Sequence, residues 1–296
     1  MDRPGTSGFV ERYAEVTRTK GRSLRDRARD LALNMACAWD RRGAEGWLSA
    51  PRVQFIYIHH VFRDEEKALE EMLRALSEQH VFISHSEAWK KVISGDIDRP
   101  YISFSSDDGF HNNVRAAAIL KEHGVSGCFF ICPSMIGIDD LDTVTAFCRE
   151  RLHLPPVKFM GWDDVERLLA SGHEIGSHTM DHVNVSEMSA ERLEEEIGGA
   201  ARIMEERTGS AGHFAFPYGR FHHFNGLGRE IAFRCGHLSC SSAERGCHMP
   251  RREAMAPSDL LIRRDHVLLD WPLTHIKYFL ARNAAVPAFQ QNGYPY

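Results

Sequence analysis

The feature that most restricts the fold of this chain is an alternation, from Pro51 onward, of short apolar runs with longer amphipathic ones. The runs at 53–58, 80–83, 101–104, 127–131, 173–176 and 213–216 have strand length, and a late strand falls within 260–269. Helical spacing fills the intervals at 65–79, 112–123, 162–170, 189–208 and 225–233. In the first of these, Ala68, Leu69, Met72, Leu73 and Leu76 share one side. Gly124 suits a helix C-terminus, Asp163 and Asp164 suit a first turn, and Ser189 suits an N-cap. Arg192 stands where a full capping box would need Glu. Strands and helices alternating at this spacing predict a mainly parallel sheet covered by helices. A chain of 296 residues can bury a substantial core in one large α/β domain or two small ones.

Residues 1–50 precede this pattern and read as an N-terminal helical extension. A helix is predicted over 23–39, with Leu24, Ala28, Leu31, Met35 and Ala38 at helical steps and Arg22, Arg25, Arg27 and Arg29 on the polar side. A basic amphipathic helix either lies on a membrane surface or packs on its own domain. Asp26, Asp30 and Asn34 dilute the apolar face and favour packing. The net charge of −5 gives no bulk argument for nucleic acid, and there is no basic-aromatic platform. There is no apolar run of secretory type and none near the ~20 residues of a membrane span. Seven cysteines without a framework spacing fit a reducing compartment, so a cytoplasmic protein is expected. Oligomeric state is not readable.

Three segments carry chemistry, and each follows a predicted strand, where active sites of α/β barrels and sheets collect. In Asp107-Asp108-Gly109 two adjacent carboxylates are costly unless a positive charge joins them, and a divalent metal provides one. One aspartate can bind the metal while the other stays free as a base. His178 and His182, four apart, can share a face of a helical turn and reach one ion. Phe216-Pro217-Tyr218-Gly219 ends an apolar strand in a tight turn that can aim a backbone N–H at a developing oxyanion. Taken singly, each has a bland reading as turn chemistry or a chance histidine pair among 17 histidines. Together they give three protein ligands and an open position for water, the pattern of a catalytic metal site.

These residues resemble the polysaccharide deacetylase, or NodB-homology, family. Asp107-Asp108-Gly109 matches its first motif, His178-Thr179-Met180-Asp181-His182 its second, and Phe214 to Gly219 a variant of its third. Tyr57-Ile58-His59-His60-Val61, Gly127-Cys128-Phe129-Phe130 and the lead-in Gly172 to His178 are similar to its flanking strands. The resemblance covers about residues 53–270. It implies a distorted (β/α) barrel of about seven strands over 51–296. It also implies a hydrolase of carbon–nitrogen bonds other than peptide bonds. The expected reaction removes an N-acyl group, N-acetyl first, from an amino sugar or saccharide precursor. Asp108, His178 and His182 would hold a divalent metal, zinc first. Asp107 would be the general base toward a metal-activated water, and the Tyr218 N–H would share the oxyanion. The substrate partner would be a carbohydrate, with no nucleic acid and no membrane span.

The chain departs from the pattern in two places. Many members have Arg where Ala215 stands, orienting the catalytic Asp. Arg263 or Arg264 could replace it, one alone facing the site on a strand, and the alignment of Leu261-Ile262-Arg263-Arg264 favours Arg263. The family's acid is often a histidine in a Leu-x-His segment, a spelling that His275 fits, with His266, His248 and His59 as rivals. These departures leave room for an inactive barrel that binds saccharide or a partner, and for a deformylase or other amide hydrolase on the same site. Cys235, His237, Cys240, Cys247 and His248 could bind a second, structural zinc, although their spacing is not that of a zinc finger and free thiols are the expectation.

Overall fold

The computed structural model describes residues 8–17, 24–39 and 41–296, the stretches 24–28 and 41–42 through their backbone. Arg22 and Ser23 of the predicted first helix lie outside the described residues. The strands are β1 (Arg52–Ile58), β2 (Val81–Phe82), β3 (Pro100–Ser106), β4 (Gly127–Ile131), β5 (Glu174–Ser177), β6 (Phe214–Ala215), β7 (Cys240–Ser241), β8 (Leu261–Ile262) and β9 (Arg264–His266). They pair in parallel in the order β8-β7-β6-β5-β4-β3-β1-β9, with β2 on the start of β3. Arg263 alone separates β8 from β9. The segment 261–266 therefore pairs with β7 through one half and with β1 through the other, making a nearly closed barrel. Counted as one stave, it brings the ring to the seven expected.

Strand alternation divides the core into two layers. Ile56, Ile58, Ile102, Phe104, Phe129 and Ile131 pack outward under the helices Glu66–Ser77, Asn112–Glu122, Trp162–Ala170 and Leu273–Ala285. Val53, Phe55 and Tyr101 point inward with Ala88 and Val92 of the helix His85–Ser94. That helix was not anticipated, although Ser84 and Glu87 form a full capping box at its start. Glu174 of β5 also accepts from the His85 and Ser86 N–H groups at 2.7 and 3.1 Å, an anion at the positive helix end. Further unanticipated elements are β7, the helix Leu141–Phe147 with its π-helical continuation Cys148–Leu152, and the helix Leu273–Ala285. The predicted helix 189–208 is interrupted by a π-helical turn, Glu194–Gly199. Its N-cap is as expected, Ser189 Oγ accepting from Arg192 N at 3.3 Å.

The N-terminal helices Leu24–Trp39 and Arg41–Ser49 lean on the helix Leu273–Ala285. Arg52, fully buried, joins them to the barrel. Its Nη1 donates to the carbonyls of Trp47, Leu48 and Ala50 at 2.8–3.0 Å, a cation on the negative end of a helix. Its Nε donates to Gln54, and Gln54 donates to Asp265 at 2.7 Å. Arg52→Met would leave these acceptors buried and unpaired. We expect it to lower unfolding free energy by about 3 kcal/mol, read from urea midpoints at constant slope. A loss below about 0.5 kcal/mol would show that the carbonyls find other partners.

Candidate active site

The barrel's parallel strands send every chemical segment to one rim. Asp107 and Asp108 follow β3, His178 follows β5, Phe216 to Gly219 follow β6, and Arg264 and His266 lie on β9 beside β1. Asp107 is buried, and Arg264 grips it with both arms, Nη1 to Oδ1 at 2.6 Å and Nη2 to Oδ2 at 2.9 Å. The guanidinium also donates to Ser105 Oγ and Ser242 O, and lies over the rings of Tyr57 and Phe130 at 4.6 and 5.0 Å. Burial by itself would raise the Asp107 pKa, but the Arg264 charge overrides it, followed by His178, and holds the carboxyl at about 2.

Arg264 thus stands where the alignment favoured Arg263. The pairing Phe55↔Arg264 and Tyr57↔His266 sets the phase that turns 264 and 266 inward. Arg263 faces the other way. Its Nε and Nη1 donate to the carbonyls of Gln291 and Arg245, and it lies over Phe221.

Asp108 Oδ1 lies 3.5 Å from His178 Nε2 and 3.4 Å from His182 Nε2, and all three residues are buried. Ligands about 2.1 Å from a tetrahedral ion are spaced about 3.4 Å apart, so these atoms suit one. Two further observations agree. Asp108 Oδ1 is buried without a hydrogen-bond partner. The His178 Nδ1–H donates to Ala215 O at 2.7 Å, which leaves its Nε2 lone pair facing Asp108. Burial, and then the Asp107 charge, push the Asp108 carboxyl well above the usual range, as expected of an acid awaiting a cation.

The second motif is not the helical turn expected. Thr179 (φ 59°) and His182 (φ 52°) take left-handed backbone, which breaks a helix and folds the loop back on itself. Glu196 from the π-helical turn holds that loop, its carbonyl accepting from Met180 N and its Oε2 from Asp181 N, both at 2.9 Å. Asp108 (φ 75°) and Tyr218 (φ 60°) are left-handed too. Among the described residues only His153 joins these four as a non-glycine of positive φ. Such strained residues cluster at active sites and ligand clamps.

A cavity of about 270 Å³ opens here, lined in part by Asp107, His178, His182, Tyr218, Arg264 and His266. Tyr218 is 40% exposed, with its ring 5.0 Å from that of His182. His59 Nδ1 and His266 Nε2 lie 3.1 Å apart on the cavity wall. Burial lowers both pKa values, to about 4 and about 3. His275 is elsewhere, on the helix Leu273–Ala285 with Nε2 against Asn34 Oδ1 at 2.8 Å, so the Leu-x-His spelling does not bring it to the cavity. His248 is also displaced, its Nε2 accepting from Arg263 N. The cysteine–histidine cluster does not converge: among the described residues the group of potential ligands drawn together is Asp108, His178 and His182.

The profile of the family described as polysaccharide deacetylase matches residues 94–236, which span all three motifs. The chain is 31% identical over 123 residues to the chitooligosaccharide deacetylase of Azorhizobium caulinodans, covering 40% of this chain and 47% of that one. It thus spans about half the length of that curated relative. Among solved structures it resembles IcaB from Ammonifex degensii, with a TM-score of 0.61 and 19% identity over 78% of this chain and 98% of that one. The Streptococcus pyogenes deacetylase PplD in complex with acetate is similar at a TM-score of 0.60 and 13% identity, over the same shares. Those identities speak for the fold, while the profile and the three motifs make the segment 94–236 similar to the polysaccharide deacetylase family.

Proposed function

We propose that this chain hydrolyses an N-acyl amide, N-acetyl first, on an amino sugar. In this reading residues 51–296 form the deacetylase domain and residues 1–50 an extension. The observation that carries it is the arrangement of Asp107 and Asp108: adjacent carboxylates, one held ionised by Arg264, the other facing two imidazoles with an unpartnered oxygen. Asp108, His178 and His182 would hold a divalent metal, zinc being suited to two imidazoles and a carboxylate. When bound, that ion would supply the positive charge that acidifies water and polarises an acyl carbonyl.

The chain's own groups divide the remaining work. Asp107 is ionised at neutral pH and is free to accept a proton, because Arg264 donates to its oxygens without being able to give one up. Arg264 also fixes the carboxylate plane, so the base meets its proton in one orientation. The Tyr218 N–H, on a left-handed turn at the cavity, is offered as the oxyanion donor. Gly219 makes that turn possible: a Cβ there would lie 2.2 Å from Ala243 Cβ. The His59–His266 pair is the proton donor to the leaving amine. Both imidazoles are neutral at rest, so one must take up within the turnover the proton that Asp107 has accepted from water before passing it to the amine.

The substrate is read as a sugar carrying an anionic group. Arg245 lines the catalytic cavity, and its guanidinium lies 4.9 Å over the Phe279 ring without an ion pair among the described residues. This favours a phosphate-linked amino sugar over a neutral polymer.

Asp107→Asn should reduce kcat by about 10²- to 10⁴-fold with little change in KM, measured as acetate released from an N-acetylated saccharide panel. Turnover unchanged by Asp107→Asn would rule out the base. Formate released in place of acetate would move the assignment to a deformylase. Of the two late histidines, His266→Gln should slow turnover by roughly 10²-fold, whereas His275→Gln should leave it within about two-fold. The opposite ranking would return the acid to His275.

A further inference from the structure

The helix Leu24–Trp39 presents a face that the rest of the described chain leaves open. On one side it is seated on the helix Leu273–Ala285, with Asn34 Oδ1 at 2.8 Å from His275 Nε2 and Cys37 Sγ donating to Thr274 O at 3.6 Å. On the other side Leu31, Met35 and Trp39 are 63%, 66% and 94% exposed. They are spaced one per turn, a continuous apolar stripe about 12 Å long. Single exposed apolar residues are ordinary on a protein surface, but three in register on one helix are a patch.

The segment of sequence that carries the stripe is net basic. Between residues 18 and 42 the sequence has eight Arg and Lys against three Asp, in a chain whose net charge is −5. The positive excess is thus confined to this helix and its flanks, and the remainder is acidic. Arg29, on the same helix, has its side chain 64% exposed, with Nη2 4.0 Å from Asp30 Oδ1 at the edge of ion-pair distance. An apolar stripe ending in Trp, within a basic segment, is the chemistry of a helix that lies in a lipid interface: the apolar side enters the headgroup–acyl boundary and the cations meet anionic headgroups. A protein groove would welcome the stripe but would have no general need for the excess of Arg. No described helix is long and apolar enough to cross a membrane, so the contact is in plane.

We propose that the helix Leu24–Trp39 docks this protein on the surface of an anionic lipid bilayer. This contact stands independently of the hydrolysis proposed above. It bears on the catalytic rim because the same helix supplies Asp30, Leu33 and Asn34 to a cavity of about 600 Å³ that shares Arg245 with the catalytic cavity. A docked helix therefore holds that rim close to the lipid.

The test uses the full chain and two kinds of vesicle, phosphatidylcholine alone and phosphatidylcholine with one third phosphatidylglycerol. Co-sedimentation is expected with the anionic vesicles and is expected to weaken as salt is raised. Trp39 emission, taken as the difference from Trp39→Phe, should shift to the blue on binding. The triple variant Leu31→Ser, Met35→Ser, Trp39→Ser should lose binding roughly ten-fold or more while its circular dichroism is unchanged. Arg25→Glu with Arg29→Glu, which keeps the stripe, should weaken binding to the anionic vesicles alone. Absence of wild-type binding to either vesicle would overturn the proposal. So would undiminished binding by the triple variant, or a stripe-dependent dimer seen by light scattering without lipid.

Discussion

The rim of the barrel that carries the three motifs is organised around one buried ion pair, Arg264 with Asp107. A fully buried guanidinium is tolerated only when its donors are satisfied and its charge is matched. Here its donors go to both Asp107 oxygens, Ser105 and Ser242 O, and its faces lie against Tyr57 and Phe130. That arrangement needs β9 in register with β1, and a residue as small as Ser105 on β3. Arg264 is spent on Asp107, and its charge offsets only part of what burial and the Asp107 charge do to Asp108. The Asp108 carboxyl beside two imidazoles is what makes this corner of the barrel fit a divalent ion, and the proposed division of labour between the aspartates rests on which of them the arginine holds.

The backbone is bent to match. Asp108, Thr179, His182 and Tyr218 all occupy left-handed conformations that non-glycine residues avoid, at a cost on the order of 1–3 kcal/mol each. The surrounding chain holds them there. Glu196 anchors the 178–182 loop, and the π-helical turn that contains Glu196 interrupts the longest helical segment. Gly219 packs on Ala243 so closely that a side chain is excluded. Strain at the rim is thus carried by a barrel whose lower half is filled by Val53, Phe55 and Tyr101 against the helix His85–Ser94.

The three motifs could be read from the sequence because each is a run of chemically odd residues directly after an apolar strand, and parallel strands must deliver such runs to one rim. Arg264 was harder. Two arginines in a row differ only in which way they face, and that phase is set by pairing with β1, a contact more than 200 residues away in the chain. The spelling of Leu273-Thr274-His275 misled for a related reason: a three-residue similarity does not say whether the histidine lies on a barrel strand or on an outer helix. β7 escaped notice because Cys240–Ser241 is two small residues with no apolar run. The N-terminal helix was read partly well. Its polar residue Asn34 does seat it on the domain, but dilution of the apolar face by such residues is no measure of what the opposite face leaves exposed.

In the proposed site the Asp108, His178 and His182 atoms are gathered to hold one metal ion while Arg264 keeps Asp107 apart from it. The most direct measurement is zinc content by elemental analysis of wild type, His182→Ala and Asp107→Asn, each loaded with zinc and freed of excess. Close to one ion per chain is expected in wild type and in Asp107→Asn, with most of it lost from His182→Ala. A wild type that retains no ion after loading, or a His182→Ala protein that retains as much as wild type, would contradict the site.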